Sequence, residues 1–218
     1  KKVYRPTSDQ VATLSFYKNN IVHLFILYSL ICESLKFIKK ASKEEIIKLI
    51  EMIYPIFAKD FHLKNEIIDK GSISNAIKVL QSKEILVEDK AGNIMPPAEN
   101  SLFFHNYIAL SNLCEPSLKR FYIVMSTIWK SESILKDDLN IKCKKLAEDL
   151  EKIEGWPYPE FSDKAKFDNF VYMMKQTKFF REDSEGKLSA SKITKKAKNL
   201  YEQFFDKNFL ELIERQSN

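Results

Sequence analysis

Residues that break regular secondary structure are scarce in this sequence. Four glycines and seven prolines together make up about 5% of the 218 residues, against about 12% in an average chain. The four glycines (Gly71, Gly92, Gly155 and Gly186) lie far apart, so no GxGxxG or GxxxxGK[ST] loop can form. The scarcity predicts a mostly helical fold and excludes nucleotide-dependent chemistry of those two kinds.

Cysteine and histidine are also rare and dispersed. The chain has three cysteines, an odd number, with no CxxC pair and no histidine at zinc-finger spacing. None of the three histidines begins an HExxH motif, and none is followed five positions later by aspartate. We therefore expect free, buried thiols in a reducing compartment, and no metal or cofactor.

The charge balance and the apolar runs are both modest. With 35 basic and 30 acidic residues, the net charge is +5 and the two signs are interspersed. The most apolar stretch, residues 21–32, is much shorter than the ~20 residues of a membrane span, so we interpret it as a buried helix. The chain begins without methionine or the apolar core of a signal peptide, and we expect a fragment of a longer protein.

Capping residues and apolar periodicity predict where the main helices lie. Ser42 with Glu45 forms a capping box that opens one helix, and Pro116 is suited to the first turn of another. Ser162 is predicted to cap a later helix. Apolar spacing predicts two further helices, over residues 137–153 and residues 191–214.

A 21-residue pattern occurs twice, in residues 74–94 and residues 168–188. The two copies align without a gap and share four identities: Asn75 with Asn169, Glu88 with Glu182, Asp89 with Asp183, and Gly92 with Gly186. In each copy a helix precedes a β-prone run, a glycine-containing turn and a second β-prone run. The repeat predicts two winged-helix-like units, with hairpins near residues 85–95 and 179–189.

This repeat suggests a division of the chain. We expect an N-terminal helical segment over residues 1–40, a first winged-helix-like unit over 41–97 and connecting helices over 98–136. A second unit with the C-terminal helix would cover 137–218. A single compact domain over residues 1–218 is the alternative.

Four segments of the chain, taken in order, resemble short stretches of one known enzyme family. Residues 14–25, LSFYKNNIVHLF, are similar to the stretch YYRNNxxHxF, and residues 54–61, YPIFAKDF, to YPxLKxELF. Residues 121–124, FYIV, are similar to RYYIVL, and residues 159–167, PEFSDKAKF, to PEFFDKxLF. The family with these stretches is the bacterial membrane-associated glycerol-3-phosphate 1-O-acyltransferases, which the chain resembles over about residues 10–215, nearly its whole length.

The resemblance also implies what this chain lacks. The family's catalytic HxxxxD motif, in which histidine is the general base and aspartate orients it, lies N-terminal to the matched region. The resemblance therefore implies a non-catalytic C-terminal region that packs on the acyltransferase domain of the same parent chain and stabilises it. The parent would transfer an acyl group from acyl-CoA or acyl-carrier protein to glycerol 3-phosphate, as a peripheral protein on the cytoplasmic side of the inner membrane.

Two groups of residues are candidates for sites, and neither is catalytic. Tyr17, Asn19, Asn20 and His23 are candidate structural or interface residues, with His23 as a hydrogen-bonded core or interface histidine. The second group, here called the C-terminal lysine cluster, consists of Lys192, Lys195, Lys196 and Lys198. It is predicted either to be a solvated face or to contact an anionic membrane surface.

A second function remains open. Two winged-helix-like units would also suit a free-standing module that binds protein or nucleic acid. Nucleic acid is disfavoured, because the chain has only four arginines for contacts to bases.

Overall fold

Helices make up most of the part of the chain that the structure describes, and two small antiparallel sheets accompany them there. The computed structural model describes residue 7 and residues 21–155, 161–192, 194 and 198–216. After a 3-10 turn, Val22–Leu24, the helices are α1 Ile26–Ile38, α2 Lys43–Asp60, α3 Lys70–Ser82, α4 Phe104–Ser111, α5 Glu115–Lys130, α6 Lys136–Glu154, α7 Lys164–Gln176, α8 Lys198–Glu202 and α9 Lys207–Gln216. The strands are β1 Val87–Glu88, β2 Ile94–Met95, β3 Ile134–Leu135, β4 Phe180–Glu182 and β5 Lys187–Ala190. The predicted mostly helical fold is confirmed.

Helix α1 is the buried helix that the apolar run predicts, but it begins later. Its residues from Ser29 to Leu35 are all buried, and it packs against α2, α3 and α4. The preceding residues form the 3-10 turn instead, and Ile21, Leu24 and Phe25 are exposed there. The prediction that residues 21–32 form one buried helix was therefore wrong at the N-terminal end of that stretch.

The first repeat unit combines two capped helices with a hairpin. The predicted capping box is present: the Ser42 hydroxyl accepts from the Glu45 backbone N–H, and the Glu45 carboxylate accepts from the Ser42 N–H at 2.8 Å. After α2 and α3, strands β1 and β2 pair antiparallel. Ala41, just before α2, bridges to Ile94 and adds a third short segment beside β2.

The second unit repeats this order of elements. Strand β3 precedes α6 and α7, and the hairpin β4–β5 follows, with strand order β3-β5-β4. The bridge of Ala41 to Ile94 thus corresponds to the pairing of Ile134 with Leu188. Both hairpins lie where the sequence predicts them.

Positive backbone angles recur at matched positions of the two units. Glu84 and Lys178 lie two residues after the second helix of each unit, with φ of 55° and 62°. Gly92 and Gly186 turn each hairpin with φ of 84° and 75°, a conformation that glycine adopts without steric cost. The internal repeat therefore extends to the backbone conformation.

Helix α5 connects the two units along the chain. It begins at Glu115 with Pro116 in its first turn, as predicted, and Phe121, Val124 and Ile128 on it are fully buried. It packs against α6, α7 and β5, and α2 of the first unit contacts α7 of the second. One hydrophobic core therefore runs through both units.

Two sequence-based predictions about helix ends were wrong. Asp163, not Ser162, caps α7, and its carboxylate accepts from the Ala165 N–H at 2.8 Å. The helix predicted over residues 191–214 is interrupted between Glu202 and Lys207. There Asp206 accepts from the Phe209 N–H at 2.9 Å, which favours a new helix start over a continuous helix.

Within the described ranges, no helix has both the length and the apolar character needed to cross a bilayer.

Candidate functional site

The predicted N-terminal group is described only in part. Tyr17, Asn19 and Asn20 lie outside the described residues, and His23 lies on the 3-10 turn with an exposed side chain. The His23 side chain lies outside the core of the described residues, because the buried helix starts only at Ile26. Its predicted structural or interface role stays a prediction.

Three exposed apolar side chains surround His23. Ile21 is 54% exposed, Leu24 63% and Phe25 38%, within five consecutive positions. We call Ile21, His23, Leu24 and Phe25 the amino-terminal patch. Val22 beside them is buried, so one side of the turn faces the core and the other faces outward.

A polar cluster joins α2 to α5 beside α7. Arg120 donates from Nη2 to the Ser117 hydroxyl at 3.1 Å, and Ser117 is also hydrogen-bonded to the Asp60 carboxylate. The Arg120 guanidinium lies 5.9 Å from the ring centres of both Phe161 and Phe170, within cation–π range. Burial raises the pKa of Asp60, although Arg120 nearby acts in the opposite direction.

This cluster draws on the segments that carry the family resemblance. Asp60 belongs to residues 54–61, Arg120 immediately precedes residues 121–124, and Phe161 belongs to residues 159–167. Sequence reasoning did not place these residues together, because they are far apart along the chain and their meeting depends on the packing of α2, α5 and α7. The arrangement connects helices from both repeat units and from the connector.

A second charged network links α1 to α5. The Lys36 ammonium lies 3.6 Å from the Glu33 carboxylate and 3.2 Å from that of Glu115, and it donates to the Asn112 side chain at 2.9 Å. Lys119 continues the chain of charges at 2.8 Å from Glu115. Glu33 is 2% exposed, and burial raises its pKa to about 8 despite Lys36. The pKa of Glu115 is lowered, because Lys119 and Lys36 outweigh the effect of its burial.

Part of the C-terminal lysine cluster is described, and both described members are exposed. Lys198 lies 3.6 Å from the Glu202 carboxylate and 5.8 Å from the centre of the Trp129 ring. Lys192 is exposed, and Lys195 and Lys196 lie outside the described residues. Lys192 and Lys198 both lie in helical backbone, and the helix predicted over residues 191–214 ends at Glu202, beyond the lysines.

The thiols of the described chain are protected from reaction by burial. Cys32, Cys114 and Cys143 are all free and buried, as predicted. Burial raises the pKa of the Cys143 thiol to about 12 and raises those of Cys32 and Cys114 as well, so none is a ready thiolate nucleophile. In the portion that the structure describes, no group of three or more His, Cys, Asp or Glu side chains could hold a metal ion.

Together, these features define a mostly helical protein with two similar units, whose buried polar groups join helices to one another. The family model of the glycerol-3-phosphate acyltransferase C-terminal region matches residues 1–183. The chain belongs to this family.

Curated relatives agree with the family match over most of the chain. A glycerol-3-phosphate acyltransferase of Alteromonas mediterranea is 26% identical over 190 residues, which cover 87% of this chain and 23% of that protein. Those of Pseudoalteromonas atlantica and Glaesserella parasuis are 25% and 29% identical and cover 82% and 88% of this chain. The chain spans only 22–23% of the length of these three relatives. No solved structure matches it.

Proposed function

We propose that this chain is the non-catalytic C-terminal region of a glycerol-3-phosphate acyltransferase. Its role is to pack on the acyltransferase domain of the same polypeptide and stabilise it. The observation that carries the proposal is the family match over residues 1–183, together with relatives of which the chain spans under a quarter. The parent enzyme transfers an acyl group from acyl-CoA or acyl-carrier protein to glycerol 3-phosphate and forms lysophosphatidate for phospholipid synthesis.

The chemistry of the described side chains favours a structural role over a catalytic one. Acyl transfer needs a base that is positioned by a second group, and the sequence contains no HxxxxD motif. The polar groups that do meet, such as Asp60 with Ser117 and Arg120, are held between helices by mutual contacts. Such contacts fix the relative positions of helices.

We further propose that each repeat unit is a winged helix used for protein packing. Support comes from the shared order of elements and the matching third segments, Ala41 beside β2 and β3 beside β5. The division into residues 1–40, 41–97, 98–136 and 137–218 follows from the same repeat. The same observation favours the alternative function, a free-standing tandem winged-helix module that binds protein.

The membrane location is also a proposal. The parent would act peripherally on the cytoplasmic side of the inner membrane, and the C-terminal lysine cluster would add contacts to anionic lipid. Such contacts contribute about 1 kcal/mol per lysine near the headgroups, which can assist a domain that already lies at the membrane. The exposed Lys192 and Lys198 suit this role.

The reading frame upstream of Lys1 separates the two functions. An HxxxxD-containing domain in that frame supports the acyltransferase proposal, whereas a start codon immediately before Lys1 supports the free-standing module. The purified 218-residue chain should not turn over glycerol 3-phosphate with acyl-CoA. Turnover by this chain alone would contradict the non-catalytic role.

A further inference from the structure

Among the described residues, the amino-terminal patch is the densest run of exposed apolar side chains along the sequence. Ile67 and Leu102 are even more exposed, at 82% and 88%, but each has only partly buried or polar neighbours along the chain. Single exposed apolar residues are common on protein surfaces, whereas clustered ones mark interaction sites. The patch has three within five positions.

The local backbone holds the patch outward. Val22 and Ile26 are 2% and 0% exposed and anchor the two ends of the turn in the core. The Phe25 N–H donates to the Val22 carbonyl at 2.9 Å, and the Ser29 N–H donates to the Phe25 carbonyl at 2.8 Å. A 3-10 helix has about three residues per turn. Because Val22 and Ile26 point into the core, Leu24 and its neighbours lie on the side of the turn that faces away from the core. Rotating the turn inward would move Val22 and Ile26 out of the core.

We infer that the amino-terminal patch is the docking surface for the acyltransferase domain of the same polypeptide. This inference rests on the proposed function, and it assigns the contact to particular residues. In the relatives, more than three quarters of the protein lies outside the matched stretch, and the family is a C-terminal region. The patch lies near the N-terminal end of that region, where the rest of such a polypeptide would join it.

The composition of the patch indicates the chemistry of its partner. Ile21, Leu24 and Phe25 require an apolar surface opposite them. His23, in their midst, offers ring nitrogens that need a hydrogen-bonding group when water is excluded. The complementary surface is therefore apolar with one polar group.

The test compares two pairs of charge-matched variants in the full-length polypeptide. Ile21→Glu with Leu24→Glu places two carboxylates in the patch, and Ile67→Glu with Leu102→Glu makes the same exchanges at isolated exposed positions. The measurement is the rate at which acyltransferase activity is lost at an elevated temperature. We expect the patch pair to lose activity at least about tenfold faster than wild type, because two apolar contacts are replaced by buried charges. The control pair should follow wild type.

Two further variants keep the result interpretable if the glutamates disturb folding. Ile21→Ser with Leu24→Ser removes the apolar contacts without adding charge and should also accelerate the loss. Ile21→Val with Leu24→Met keeps them apolar and should behave as wild type. Equal rates for the patch and control pairs would overturn the inference.

A truncated polypeptide without these 218 residues separates the inference from the proposed function. If the truncated polypeptide loses activity or stability while the patch pair does not, the supporting role stands and only the docking surface is wrong. If the truncated polypeptide keeps wild-type activity and stability, the proposed function fails as well. If the patch pair changes only the oligomeric mass of the full-length protein, the surface binds a second copy and the inference is overturned.

Discussion

Two buried tyrosines offer a matched test of the hydrogen bonds inside this fold. Tyr107 is 2% exposed, and its hydroxyl donates to the Cys32 carbonyl at 3.0 Å, which connects α4 to α1. Tyr201 is fully buried between aromatic rings, with Phe121 at 5.2 Å between ring centres. The structure gives the Tyr201 hydroxyl no hydrogen-bond partner within the residues it describes. The substitution Tyr→Phe therefore removes a satisfied hydroxyl at one site and an unsatisfied one at the other.

The two substitutions should change stability in opposite directions. Tyr107→Phe is expected to lower the free energy of unfolding by about 1 kcal/mol, the usual contribution of one hydrogen bond. Tyr201→Phe is expected to raise it by about 1 kcal/mol, because an unsatisfied buried polar group costs roughly 1–3 kcal/mol and the ring contacts remain. For a chain of this length, about 1 kcal/mol corresponds to a shift in Tm of about 2–4 °C.

Urea unfolding followed by circular dichroism, together with a thermal melt, would measure both effects at pH 7. The chemical change is the same at both sites, so the difference in stability between the two variants measures the effect of the hydrogen-bond partner of the hydroxyl. We expect Tyr201→Phe to be the more stable by about 2 kcal/mol. Equal shifts, or a more stable Tyr107→Phe, would refute the assignment of hydrogen bonds.

Three further predictions concern charge and capping. The raised pKa of Glu33 means that the folded state binds its proton more tightly than the unfolded state, so wild-type stability should fall as pH rises from about 4.5 to about 8. Glu33→Gln should flatten that profile in urea titrations, and an unchanged slope would contradict the burial of a titrating Glu33. Asp163→Ala should lower the free energy of unfolding by about 1 kcal/mol, because it removes the N-cap of α7. Ser162→Ala should leave the free energy of unfolding nearly unchanged. Equal effects of the two substitutions in chemical denaturation would contradict Asp163 as the cap. Through the C-terminal lysine cluster, the protein should bind anionic vesicles weakly, and high salt should abolish this binding. Equal sedimentation with vesicles of the wild type and of a variant with all four lysines changed to serine would exclude a membrane role for the cluster.

Local signals determined the parts of the fold that depend on neighbouring residues. The capping box of Ser42 and Glu45 forms because both partners lie within one helical turn. Pro116 falls in the first turn of α5, and Gly92 and Gly186 occupy the positive φ that each hairpin turn requires. These features could be predicted directly from the sequence. The family resemblance could also be recognised there, because it lies in short segments.

The tertiary structure alone decided what depends on residues far apart in the chain. Ala41 joins Ile94 across more than fifty residues, and no local pattern specifies such a partner. Arg120 meets Asp60, Phe161 and Phe170 only because segments of both repeat units pack against α5.

Burial was likewise beyond local reasoning in the apolar stretch of residues 21–32. Its composition suits a buried helix throughout, and tertiary contacts decide where the buried helix starts. Val22 and Ile26 enter the core while His23 and Leu24 between them remain outside. Apolar composition sets the tendency to be buried, but only the arrangement of the surrounding helices sets which side of a turn is covered.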